Sequence, residues 1–310
     1  MWLEVKARDG DTRTWRCCQA LQECLAMSLN LPGGARMAVS ITCDFDAHSP
    51  WIGGYRMTSP AVLSRGEFGA EVGVPRLLAL FRDLQIPATW FTPGHDLVTF
   101  PEKVRDVLAQ GHEIAAHGCY HEVISDLPPG EERRLMEVQL RQHEEITGRR
   151  PRGYRSPSWE FSDLTLGLLE EFGFEWDSSL MGREFEPYHP RPVTTNYETA
   201  STFGPPSRIV EFPVSWYLDD FPAVEYVPGV AEEIGSHTVM FQRWREIFQY
   251  AYDRVPGAIY TVTVHPQTIG RSHHIAAFAQ FLAELRSLDG IWWATMSNIF
   301  DAYSPGDPPA

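Results

Sequence analysis

The run Ala38-Val-Ser-Ile-Thr-Cys-Asp-Phe-Asp46 decides how this chain is read. Apolar and β-branched residues crowd it, which predicts a buried strand, and it ends in two carboxylates one residue apart. Side chains at i and i+2 of a strand share a face, so Asp44 and Asp46 are expected to point at one place while Cys43 faces away. His117 and His121 stand four residues apart, close enough for both imidazoles to converge on one ion. One Asp and two His make a facial metal triad with room left for water, and the spare Asp beside it could act as a base. The run Thr261-Val-Thr-Val-His-Pro266 adds another apolar strand that delivers a His at its carboxyl end. Each element alone is a weak signal. Three strand ends that all carry hydrolytic side chains point to metal-assisted hydrolysis.

Outward from these motifs, strand-like and helix-like stretches alternate. Strands are expected at 39–46, 87–92, 112–116, 152–155, 174–177, 209–214, around Thr261 and at 291–295. Helices are expected at 74–84, 101–110, 131–147, 237–252 and 274–288, with Pro101 in a first turn and Gly148 as a stop signal. This alternation indicates parallel βαβ units, a barrel or a doubly wound sheet. Asp44, Asp46, His117, Arg155, Asp177 and His265 all fall at carboxyl ends of strands, where (β/α) barrels build their active sites, which favours the barrel. The segment 180–229 is rich in Pro, Tyr and Thr and too long for an ordinary connection, so it is expected to form a lid or pocket wall. The expected division is an extension over 1–36, poorly ordered or preceding the native start, a catalytic barrel over 37–304 and a tail over 305–310. A subunit-contact helix from Trp15 to Leu29, or a docking arm, is the alternative for the extension.

Composition sets bounds. The chain has 310 residues, 43% of them hydrophobic, with 10 Trp, 11 Tyr and 17 Phe, ample for one large core. A net charge of −15 offers no attraction to nucleic acid or to an anionic membrane surface, so neither is expected as a partner. Five cysteines, Cys17, Cys18, Cys24, Cys43 and Cys119, form no disulfide framework and suggest reduced thiols and a cytoplasmic setting. No signal peptide is visible, and no stretch approaches the roughly 20 apolar residues of a membrane span. Cys119, between the histidines, is a further conceivable metal ligand.

Together the motifs resemble the polysaccharide deacetylases with the NodB-homology fold, carbohydrate esterase family 4, over about residues 38–300. The first motif of that family, typically Thr-Phe-Asp-Asp-Gly, is similar to Thr42-Cys43-Asp44-Phe45-Asp46, and its His-x-x-x-His to His117-Gly-Cys-Tyr-His121. Its Arg-x-Pro corresponds to Arg155-Ser156-Pro157, a Trp-Asp element to Trp176-Asp177, and its final His-bearing strand to Val264-His265-Pro266. One departure is Phe45, which separates the two aspartates, with no Gly following. That variant resembles a branch holding intracellular peptidoglycan-deacetylase-like proteins, cyclic imide hydrolases and metal-independent allantoinases. Because the allantoinases lack the full ligand set and this chain keeps it, a metal is expected.

The resemblance implies a distorted (β/α) barrel and assigns roles. Asp46, His117 and His121 would hold one divalent metal, zinc first, with iron, cobalt or manganese permitted by the same donors. Asp44 would be the general base, Arg155 its charge partner, His265 the general acid, and Asp177 the group that orients His265, or else a helix cap with Ser178 and Ser179. Trp51, Trp159, Trp216 and Tyr217 are candidates for the pocket wall. Glu160, Asp219 and Asp220 are weaker substrate candidates, and Gly270 with Arg271 a candidate anion-binding turn. The expected function is hydrolysis of a non-peptide C–N bond, with a small cyclic amide or imide slightly preferred over an N-acetyl sugar of peptidoglycan. A non-catalytic carbohydrate- or heterocycle-binding member would lack a ligand or His265, and neither is missing. Members of this branch imply a homo-oligomer, a dimer or tetramer.

Overall fold

The computed structural model describes residues 31–303. Cys17, Cys18, Cys24, the Trp15–Leu29 helix and the tail lie outside the described residues. Strand β1 (Met37–Asp44) is buried along its whole length, as its run of apolar and β-branched residues requires. It is followed by β2 (Ala88–Thr92), β3 (Glu113–Ala116), β4 (Gly153–Tyr154), β5 (Trp176–Asp177), the hairpin strands β6 (Val193–Thr194) and β7 (Thr202–Phe203), then β8 (Val210–Glu211), β9 (Ile259–Val264) and β10 (Ile291–Trp293). All ladders except the exposed β6–β7 hairpin are parallel.

One edge of β1 pairs with β9 through Ala38–Cys43. Its other edge is shared, β10 taking Met37–Val39 and β2 taking Ile41–Asp44. From β2 the sheet runs through β3, β4 and β5 to β8. Between β8 and β9 irregular chain spans the gap: Asp219 bridges Thr263, and Asp220 N donates to Thr263 O at 3.3 Å. The result is a distorted (β/α) barrel, as expected.

Odd residues of β1 (Met37, Val39, Ile41, Cys43) enter the larger core against helices, with Val74, Leu77, Phe81, Trp244 and Phe278. Ala38 faces the barrel interior with Phe91, Trp176, Phe212 and Ile259. Thr42 and Asp44 continue that inner row, so the interior turns polar toward the carboxyl ends of the strands. The helices at Val74–Leu84, Pro101–Ala109, Glu131–Thr147 and His237–Arg254 stand within a residue or two of expectation, and Gly148 ends its helix with φ 75°. Helices at Pro60–Phe68, Thr165–Phe172 and Met296–Ala302 were not anticipated. No helix among the described residues is long and apolar enough to cross a membrane.

Candidate active site

Asp44 is the last residue of β1, and Arg155 follows β4 directly. The guanidinium is fully buried and reaches Asp44 Oδ1 at 2.6 Å, so it is no surface cation. Its other protons go to Thr42 Oγ1 at 3.0 Å, Ser178 O at 2.8 Å and Ser178 Oγ at 3.0 Å, and its flat face covers the Phe91 ring. Five donors in a rigid fork suit such a site, where a lysine would leave acceptors unmet. Asp44 is thereby held at one position with an opposite charge against it.

Asp46 lies past the ladder, yet Phe45 N still donates to Phe91 O and keeps the chain extended, so Asp46 points the same way as Asp44. Asp46, His117 and His121 each offer one ligand atom, all within 4.8 Å of one another. His117 Nδ1 sits 2.8 Å from the Arg155 carbonyl, which can only accept. Nδ1 therefore carries the proton, and Nε2 faces Asp46 Oδ1 at 3.3 Å and Asp44 Oδ2 at 3.8 Å. A neutral imidazole would aim a lone pair at two carboxylates, an arrangement that calls for positive charge between them. Asp46 Oδ1 and His121 Nδ1 are buried without hydrogen-bond partners. Burial pushes His121 down to about 4, which keeps it a neutral donor. Burial would raise Asp46, but the His117 imidazole against it, with His121 and His265 close by, outweighs burial and holds that carboxyl below its ordinary range. These orphaned donors fit a divalent cation. Cys119 does not join them: its Sγ lies toward Gln142 Oε1, and burial pushes the thiol up to about 12.

Two buried acids unnoticed in the sequence hold these ligands. Glu122 accepts from the backbone of Cys119 and Tyr120, pinning the turn in which His121 takes φ 58°. Asp96 accepts from His48 N and Ser49 N, fixing the chain after Asp46. Acids beside glycine and histidine on short turns read as solvated, which hid them.

His265 ends β9 with Nε2 3.5 Å from Asp46 Oδ2 and 3.9 Å from Asp44 Oδ2. Its Nδ1 meets Asp220 Oδ1 at 2.8 Å and Asp219 Oδ1 at 3.5 Å. Burial opposes a charged imidazole, but Asp219, Asp220 and Asp46 outweigh it and raise His265 well above its ordinary value. Burial also pushes Asp219 up to about 8 and Asp220 to about 6. Asp177, expected to orient His265, does not: β5 lies on the opposite side of β1 from β9. Nor does it cap a helix. It accepts from Ser179 Oγ at 3.0 Å beside Glu211, whose carboxylate receives Ser179 N and Leu180 N. Burial pushes Asp177 up to about 6 and Glu211 well above its usual range, so this pair retains protons.

A cavity of about 230 Å³ opens over Asp44, Asp46, His117, His121 and His265. Trp159 and Trp216 line it as a stacked pair with centroids 4.1 Å apart, and Tyr55 and Phe221 line it too. Ser158 and Trp159 both adopt positive φ, a strained pair at the cavity wall. Trp51 and Tyr217 do not line the cavity. Trp51 is fully buried beneath the Arg65 guanidinium. Tyr217 is 66% exposed, because successive residues of the tight turn Trp216–Leu218 point in different directions. Glu160 is also absent from the wall. Gly270 and Arg271 form no anion turn, since the Gly270 carbonyl accepts from Arg76 and Arg271 lies over Phe68.

The family profile for polysaccharide deacetylase matches residues 66–176. The chain is 33% identical over 284 residues to a peptidoglycan deacetylase of Helicobacter pylori, covering 87% of this chain and 97% of that one. It is 31% identical to the peptidoglycan deacetylase-like protein FGM2 of Gibberella zeae, covering 79% of this chain and 80% of the relative. Among solved structures, a Mycobacterium smegmatis protein of the polysaccharide deacetylase type superposes with a TM-score of 0.77 at 34% identity, over 88% of this chain and 92% of that one. The Puue allantoinase shares the fold, with a TM-score of 0.74 at 21% identity over 91% and 95% of the two chains. Sequence likeness along most of both chains, together with this barrel, makes the protein a member of the polysaccharide deacetylase family.

Proposed function

We propose that the protein is a metal-dependent hydrolase of a non-peptide C–N bond, with Asp44 as general base and His265 as general acid. The observation that carries this reading is the presence of two separately partnered groups across one cavity: Asp44 against Arg155, and His265 against Asp220. Asp46, His117 and His121 would hold one divalent ion, zinc in our reading, and when bound it would polarise the scissile carbonyl and make water a better nucleophile. Asp44, aimed by Arg155, accepts the proton of the attacking water. His265, kept protonated by the acids behind it, gives a proton to the departing nitrogen. Trp159 and Trp216 exclude water on one side and offer flat surface to a ring.

The cavity, about 230 Å³, is below the roughly 300–1,000 Å³ common for drug-sized ligands, and Pro222, Val230 and Ala231 help wall it. That confinement favours a small cyclic amide or imide. The second reading, an N-acetyl sugar of peptidoglycan, is supported by the Helicobacter pylori relative. A homo-oligomer belongs to the same proposal, and a monomeric mass by light scattering would overturn that part. The free thiols of Cys43 and Cys119 accord with a reducing cytoplasm.

The test combines metal content with turnover on wild type and His117→Ala, across cyclic imides, hydantoins, allantoin and N-acetylglucosamine oligomers. We expect turnover that chelation abolishes and added Zn2+ restores, with a loss of at least about 100-fold in the variant. Full activity of metal-free wild type would overturn the ligand assignment.

A further inference from the structure

The catalytic cluster is not the only group of metal-binding side chains. His237 opens the helix His237–Arg254, and His273 and His274 lie in the first turn of the helix Ser272–Arg286. One nitrogen from each of the three comes within 4.8 Å of the others. Their rings meet closely, His273 and His274 at 3.9 Å between centroids and His237 at 5.3 and 5.5 Å from them.

We propose that His237, His273 and His274 form a second, transition-metal site of the Zn2+ class, separate from the Asp46–His117–His121 centre. Two features support it. His274 is buried and its Nδ1 lies 2.9 Å from the Thr268 carbonyl, an obligate acceptor, so Nδ1 carries the proton and Nε2 keeps its lone pair. A backbone carbonyl that fixes the tautomer of a ligand imidazole is the usual support behind a metal-bound histidine. The more open pair, His237 and His273, has rotamer freedom to close from the present spacing to the 2.0–2.1 Å bonds zinc makes with imidazole. The positive ends of two helices converge at the cluster.

The same helix ends oppose a bare cation. Glu225 lies near enough to act on His274; its Oε1 is already paired with the Arg65 guanidinium, and its Oε2 accepts from Thr268 Oγ1 at 2.6 Å. Three imidazoles leave a fourth position for water or an anion. Nitrogen donors alone select Zn2+, Co2+, Ni2+ or Cu2+ over Mg2+ and Ca2+. The consequence is structural. An ion there joins the starts of two helices to the turn Pro266–Ile269, which immediately follows the general acid His265.

The experiment uses untagged full-length protein, stripped with chelator and titrated with Zn2+, and with Co2+ as a spectroscopic probe. The variants are His237→Ala/His273→Ala, which leaves the buried His274 in place, and Asp46→Asn/His117→Ala. Two ions are expected on wild type and one on each variant, with the affinity of the lost ion down at least about 100-fold. Wild type holding one ion and His237→Ala/His273→Ala none would still support this site while sinking the catalytic one. Equal stoichiometry and equal Co2+ spectra in wild type and His237→Ala/His273→Ala would overturn the proposal. A His237→Gln/His273→Gln pair controls for lost packing, and it must lose the ion as well.

Discussion

At the scale of single residues, the site separates charges by environment. Asp44 has a guanidinium against it, whereas Asp219 and Asp220 share the back of one imidazole. Asp220→Asn removes a charge that raises His265, so less of the imidazole stays protonated at a given pH. The alkaline limb of the pH–rate profile should then move to lower pH and kcat should fall by about 100-fold, with KM little changed. Asp177→Asn is expected to leave that limb in place, because Asp177 belongs to the Glu211 pair instead. If Asp177→Asn moves the limb and Asp220→Asn does not, the corrected orientation of His265 is wrong. The motif residues Asp44, Asp46, His117, Arg155 and His265 were legible in the sequence because each stands at or just past a strand end, and His121 because it stands four residues from His117. Asp220 was read only as a weak substrate candidate, since it arrives on a loop 45 residues before its partner.

At the scale of elements, the two loops that carry Asp46 and His121 are locked together by close backbone approach. A Cβ at Gly53 would overlap the carbonyl oxygens of Tyr120 and His121, neither of which is a flexible group that can swing away. Gly53→Ala should therefore displace the His121 turn and lower metal content and activity together, while far-ultraviolet circular dichroism stays native. Metal content equal to wild type in that variant would show that the turn absorbs the methyl group. Nothing local in the sequence marks Gly53 as a required glycine; only the packed structure shows which backbone it must admit.

At the scale of the whole molecule, the buried Asp177–Glu211 pair links stability to pH. A carboxyl whose folded pKa stands above its unfolded value stabilises the fold while protonated, and that contribution is lost as pH rises through the folded value. Asp177 is pushed up to about 6 and Glu211 is raised as well, so the loss begins near pH 4 and runs through about pH 6 and above. Glu211→Gln keeps the oxygen that accepts Ser179 N and Leu180 N but cannot ionise. Denaturant midpoints should fall less for this variant than for wild type between about pH 4.5 and pH 8. Parallel slopes would show that the pair is not coupled to folding.

Local pattern determined much of this protein. Strand and helix periods, Gly148 as a stop and the placement of chemical residues at strand ends all depend on neighbours a few positions apart, so one sequence carries them. The barrel, the Asp44–Arg155 pair and the convergence of His117 and His121 on Asp46 followed from those patterns and from the resemblance that five motifs in order carry. Long-range assembly decided the rest. Sheet order put β9 beside β1 and sent β5 to the far side, which gave His265 to Asp220 and Asp177 to Glu211. The tight turn at Trp216 turned one aromatic inward and left Tyr217 in solvent, and folding gathered His237, His273 and His274 from two helices. Side-chain direction on loops, and burial of charge, depend on groups dozens to hundreds of residues away, and no local period encodes them.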